Sequence, residues 1–141
     1  YPAVCSYELV ACFVKAAQEL NYRYQVGIGR SQDSEYLQTG HPSVGSYFQD
    51  EHLSIVDYYN RAGILYTDRE SAAIVTLCSL FGRRGGAVVS VDNNVFTGEG
   101  FTAGDGQEHA IDIVFEGLAN LCQLDEAKKA GGHEFWAPDG F

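Results

Sequence analysis

The stretch GILYTDRESAAIVTLCSLFGRRGGAVVSVDNN (63–94) decides the fold, because its hydrophobic pattern changes twice in one continuous run. GILYT has strand composition. From Glu70 to Phe81, Ala73, Ile74, Leu77, Cys78 and Phe81 recur at helical spacing, which predicts a helix with one apolar face that Gly82 closes. GGAVVSVD (85–92) is then an apolar, β-branched run of the kind found in the interior of a covered sheet. Strand, helix and strand in that order make a parallel crossover, since parallel neighbours need a long connection that is usually a helix.

The same alternation continues upstream. Leu9, Val10, Phe13, Ala16, Ala17 and Leu20 mark an amphipathic helix from Ser6 to Asn21, with Ser6 placed to cap its start. YRYQVGIGRS (22–31) reads as a strand, and QDSEYLQTGHPSVG (32–45) as a polar loop broken by Gly, Pro and Ser. A helix is expected from Asp50 to Asn60 on the spacing of Leu53, Val56 and Tyr58 or Tyr59, with Gly63 closing it.

Downstream, NNVFTGEGFTAGDG (93–106) is a Gly-rich loop. A helix over 107–124 carries Ile111, Val114, Phe115, Leu118 and Leu121 in one stripe. Residues 125–141 are expected to be a frayed helix end and an irregular tail, in which Phe135, Trp136 and Phe141 could dock. The order predicts an α/β fold, three-layer α/β/α with a mostly parallel central sheet. Only three strands are expected where such sheets usually hold about five or six, so the chain reads as half of a fold.

Composition narrows the function. Net charge is −10, from 19 acids against nine Lys plus Arg, which disfavours nucleic acid and anionic membrane surfaces as partners. Cys5, Cys12, Cys78 and Cys122 form no C-x-x-C pair, and their apolar surroundings suit buried thiols in a cytoplasmic setting. His41, His52, His109 and His133 show no zinc-binding spacing, so no metal is expected. The sequence opens on Tyr1 and contains no Met, which is what a fragment or one part of a larger chain would show.

Ligands of open α/β folds gather beyond the C-terminal ends of the strands. Ser31–Tyr36, Thr67–Glu70 and Asp92–Asn94 are all expected there. Each has a plainer reading. Glu70 can complement a helix dipole, Asp92 can start an Asx-turn, Asp33 can cap a turn, and Glu35 and Tyr36 can be loop surface. The functional reading of Asp92 is a carboxyl at the edge of a dry pocket, placed to act as a general acid. Gly98, Gly100, Gly104 and Gly106 match neither phosphate-loop spacing.

With these positions assigned, the chain resembles the second half of the nucleoside phosphorylase family, which includes uridine phosphorylases, hexameric-type purine nucleoside phosphorylases and adenosylhomocysteine nucleosidases. The segments that carry the resemblance are YPAVCSYELVACFVKAAQEL, VGIGRSQDSEY and YTDRESAAIVTLCSLFGRRGGAVVSVDNN, and it covers residues 1–124. It implies a pentosyltransferase that cleaves a nucleoside with phosphate as co-substrate and no other cofactor, giving free base and ribose 1-phosphate.

Residue by residue, it implies that Glu70 binds ribose hydroxyls and that Asp92 protonates the leaving base, with Asp68, Arg69, Glu35 and Tyr36 lining the pocket. Uridine-specific members use a Gln and an Arg in the preceding loop. Here Gln38 is near but His41 stands about where the Arg would be, which leans toward a purine. Arg69 replaces the family's Met, Asp68 a Glu, and Glu35 a stacking aromatic, so a Glu35–Arg69 ion pair is expected to fill part of the site. The implied partners are nucleoside, phosphate, and either further copies of the chain or a complementary N-terminal half that supplies the phosphate-binding groups. The alternatives are a family-derived binding or structural module without catalysis, and a hydrolase that uses water in place of phosphate.

Overall fold

A computed structural model describes residues 1–99, 104 and 106–138; Gly100 of the Gly-rich loop and Phe141 of the tail lie outside them. Two helices form the dry centre. In α1 (Tyr7–Glu19), Leu9, Cys12, Phe13, Ala16 and Ala17 are buried along one face, and in α5 (Gln107–Gly131) the buried positions are Ile113, Gly117, Asn120, Leu121 and Leu124. Gly117 sets their distance. A Cβ there would meet Phe13 Cδ1 at 2.3 Å, so only a glycine lets the ring lie on the helix.

The far end of this pair is clamped by charge. Glu8 is 5% exposed and accepts hydrogen bonds from Lys128 Nζ at 2.7 Å to both oxygens, from Arg84 Nη1 at 3.2 Å and from the Trp136 N–H at 3.0 Å. Arg84 also reaches Asp125 with two parallel bonds of 2.8 and 2.6 Å. Trp136 stacks on Tyr7, with ring centroids 6.3 Å apart, so the tail does dock at this residue.

The second unit is a parallel strand pair. β1 (Ile28–Ser31) lies against β2 (Ile64–Asp68), pairing Gly29 with Tyr66, Arg30 with Thr67 and Ser31 with Asp68, and the Gln32 N–H adds a bond to Asp68 O at 2.8 Å. Gly29 leaves room for the tip of the Tyr66 ring, which a Cβ there would meet at 2.1 Å and push aside. Between the strands run the short helices α2 (Asp50–Leu53) and α3 (Ile55–Arg61). β2 leads into α4 (Ser71–Leu80).

The parallel α/β arrangement is present, with several departures from the sequence reading. The strand expected over 22–31 is ordered as β only from Ile28, and the helix expected over 50–60 divides at Ser54. Ser6 occupies the N-cap position of α1 without capping it, because its Oγ accepts the Gly85 N–H at 3.1 Å instead. That tie bears on the third strand. Residues 85–92 join no sheet among the described residues; the Ser6 N–H donates to Gly85 O at 2.8 Å and Gly86 sits on Leu9 and Phe13, so the run begins by leaning on α1 rather than on a strand edge.

The expected apolar faces also divide. On α4 only Val75 is buried, while Ile74, Leu77 and Phe81 are exposed. On α5 the expected stripe splits: Leu121 is buried and Val114 packs against the core, while Ile111, Phe115 and Leu118 stay exposed. Helix periodicity finds an apolar face but cannot rank two on one helix. α5 also runs through Gly131, past the expected end at 124, and closes with Gly132 in the left-handed region, φ 70°.

Candidate functional site

The site predicted from sequence lies around the C-terminal ends of β1 and β2. Parallel pairing in register brings Ser31 beside Asp68. The Ser31 hydroxyl donates to Asp68 Oδ1 at 2.6 Å and accepts the Ala72 N–H at 2.8 Å, while Asp68 Oδ2 accepts the Ser71 N–H at 3.3 Å and the Ser71 hydroxyl. Asp68 thus supplies the side-chain cap of α4 that Glu70, at the N-cap position, does not. Burial, and then the nearby Asp68 charge, push the Tyr66 phenol up.

Relieved of capping, Glu70 faces outward. Arg69 stands between two carboxylates, with Nη2 at 3.3 Å from Glu35 Oε1 and Nε at 4.0 Å from Glu70 Oε1, and its own N–H donates to Glu70 Oε2 at 3.1 Å. The expected Glu35–Arg69 pair is therefore formed. All three side chains are more than half exposed, so solvent screens the contacts and each is worth roughly 0–1 kcal/mol. Chemically, the group offers carboxylate oxygens to hydroxyl donors and a guanidinium that can be drawn aside.

The loop with Glu35 and Tyr36 is held by a short 3-10 turn, Leu37–Thr39, and Gly40 closes it at φ 79°. The Tyr36 carbonyl accepts the Thr39 and His41 N–H groups, and its ring is exposed. Sequence reasoning missed what fastens this loop. Arg30 donates from Nη1 to Gln38 O at 2.9 Å and from Nη2 to Gln38 Oε1 at 3.2 Å, with its guanidinium 4.0 Å from the Tyr59 ring centre. Gln38 Oε1 also accepts the Asp33 N–H at 3.1 Å. Strand alternation was the available signal, since it turns Arg30 to the opposite face from Ser31.

Asp92 stands apart from that group. No hydrogen bond or ion pair among the described residues links it to Glu35, Arg69 or Glu70, and its Oδ1 is enclosed with no hydrogen-bond partner. The Asx-turn expected of Asp92 belongs to Asn94, whose Oδ1 accepts the Phe96 and Thr97 N–H groups at 3.0 and 3.2 Å. Gln32, within the Ser31–Tyr36 stretch, is buried, and its Oε1 has no hydrogen-bond partner among the described residues.

Among the described residues no group of three or more His, Cys, Asp and Glu could hold a metal ion, and no helix is long and apolar enough to cross a membrane.

No family model matches the chain. It is 35% identical over 138 residues, 98% of its own length, to a uridine phosphorylase of Thermococcus kodakarensis. It is 26% identical over 125 residues to a uridine phosphorylase of Escherichia coli, and 28% identical over 124 residues to a DeoD-type purine nucleoside phosphorylase of Shewanella loihica, each covering 86% of the chain. These matches take in 49%, 49% and 47% of the relatives, so the chain spans about half the length of the curated relatives it matches.

Proposed function

The chain belongs to the nucleoside phosphorylase family, and from that premise we propose that it is the base- and ribose-binding half of an enzyme that cleaves a purine nucleoside or uridine with phosphate. The observation that carries the reading is the match along 98% of the chain to a relative named for uridine phosphorolysis. The position of Glu70, at a strand-to-helix junction with Asp68 capping in its place, supports it.

In the proposed reaction a phosphate oxygen attacks the anomeric carbon while the N-glycosidic bond breaks and its electron pair leaves with the base. Glu70 accepts hydrogen bonds from the ribose hydroxyls, and its charge favours the positive sugar of the transition state. Asp92 delivers a proton to the departing base. Arg69 turns from Glu70 when the sugar arrives, and Tyr36 offers its exposed ring to the base. Asp68 holds the junction. The phosphate-binding groups come from a complementary N-terminal half or from further copies of the chain.

The test is phosphorolysis of inosine, adenosine and uridine by the full-length gene product. Turnover that depends on phosphate is expected with at least one of them. Turnover without phosphate would identify a hydrolase, and none with any substrate would leave a binding module, the reading that the Glu35–Arg69 pair favours. Asp92→Asn should lower kcat about 100-fold or more with little change in KM. Equal losses of catalysis and binding would remove the general-acid role.

A further inference from the structure

The loop that leaves β1 carries two glutamines, and the fold uses them differently. Gln38 Oε1 accepts from Arg30 Nη2 at 3.2 Å and from the Asp33 N–H at 3.1 Å, so its oxygen is committed to the loop and its NH2 is the side-chain group it can still offer. Gln32 is the reverse case. The residue is 7% exposed, and its Oε1 is enclosed with no hydrogen-bond partner among the described residues. An amide acceptor shut away from water and unpaired is costly, and the cost is removed when a donor reaches it.

Its place in the fold says where that donor comes from. The Gln32 N–H extends the pairing of β1 and β2 by bonding Asp68 O at 2.8 Å, which sets the residue beside the strand end that continues into Arg69 and Glu70. On its own strand it stands between Ser31, tied to Asp68, and the loop that bears Glu35 and Tyr36. The terminal torsion of a glutamine is broad, so the amide can turn its oxygen toward a ligand without moving the backbone.

We infer that Gln32 reads the nucleobase: its Oε1 accepts the ring N–H of an oxo-base, N3–H of uracil or N1–H of hypoxanthine, and its Nε2 donates to the carbonyl beside it. The oxo-base follows from the neighbouring donors. The Gln38 NH2 and the Arg69 guanidinium can only donate, which suits carbonyl oxygens and not the amino group of adenine. The inference deepens the proposed function and rests on it. In that proposal Tyr36 gives the base a stacking face and Asp92 gives it a proton, and neither distinguishes one base from another.

The experiment is calorimetric titration of the full-length gene product, without phosphate, with uridine, 3-methyluridine, inosine, 1-methylinosine and adenosine; phosphorolysis of the same nucleosides is followed separately. Methylation replaces the N–H and should weaken binding at least about tenfold for whichever parent nucleoside binds. Gln32→Ala should weaken binding of the parent about tenfold and reduce the penalty for methylation to about twofold or less, with helicity by circular dichroism unchanged.

Equal binding of a nucleoside and its methylated form by the unaltered protein would overturn the inference, even if Gln32→Ala fails to fold. So would a methylation penalty that survives Gln32→Ala, tighter binding of adenosine than of uridine and inosine, or no binding of any of them. Discrimination in binding with no base released would instead count against the proposed activity and leave Gln32 in its role. Base released equally well from parent and methylated nucleosides would remove Gln32 from recognition and leave the activity standing.

Discussion

Glu8 and Glu35 are both carboxylates paired with a basic side chain, yet the protein surrounds them differently. Glu8, buried between α1 and α5, receives donors from Lys128, Arg84 and the Trp136 backbone. Glu35, on a loop, meets Arg69 alone among the described residues, at 3.3 Å, and is 60% exposed. The first arrangement fixes two helices and a tail; the second costs little to open. A charge that must give way to a ligand belongs in the second setting, and a charge that joins helices belongs in the first.

The contrast should appear in stability measurements. Phe13→Ala removes the ring that packs on Gly117 and should cost about 3–5 kcal/mol in urea unfolding, the largest effect expected. Glu8→Gln leaves Lys128 beside a neutral amide, and should cost about 3 kcal/mol. A loss below about 1 kcal/mol would place Glu8 with Glu35 and end the distinction.

The Glu8 clamp also sets a pH dependence. Burial pushes the Glu8 carboxyl up, but hydrogen bonds from Lys128 and Trp136, the Lys128 charge and the Arg84 hydrogen bond outweigh it and hold the carboxyl below its ordinary value. The Arg84 hydrogen bond lowers Asp125 as well. Carboxyls that titrate lower when folded contribute fully above the unfolded range and lose that contribution as pH falls through the folded values. Stability should therefore decline on acidification below about pH 4, and Glu8→Gln should flatten the decline.

Smaller effects belong to the site. Asp68→Ala uncaps α4 and should cost about 1 kcal/mol, with faster amide exchange in the first turn of that helix. Arg69→Met should change stability by no more than about 1 kcal/mol, since its ion pairs are exposed. On the proposed function it should also free Glu70 and tighten nucleoside binding, which calorimetry would register.

The helices and their order were legible because apolar spacing is a local property. So was the Glu35–Arg69 pair, once the two segments were placed at neighbouring strand ends. What escaped depends on the surroundings. The run 85–92 has strand composition, but a strand exists only where a neighbour accepts its hydrogen bonds. The burial of α5 through Ile113 and Gly117 was hidden because Ile111 and Phe115 make an equally good apolar stripe. Arg30 was overlooked because its partners are a backbone carbonyl, an amide and a ring, none of which announces itself as a charge partner.

Arg30 also limits how the site can breathe. Its two bonds to Gln38 and its stacking on Tyr59 join β1, the 33–41 loop and α3 through one side chain. The loop bearing Glu35 and Tyr36 cannot swing as an isolated flap while that junction holds; it moves with α3 or after Arg30 lets go. Because neither Gln38 nor Tyr59 carries a compensating charge, added salt should loosen the Arg69 contacts well before it loosens this hinge.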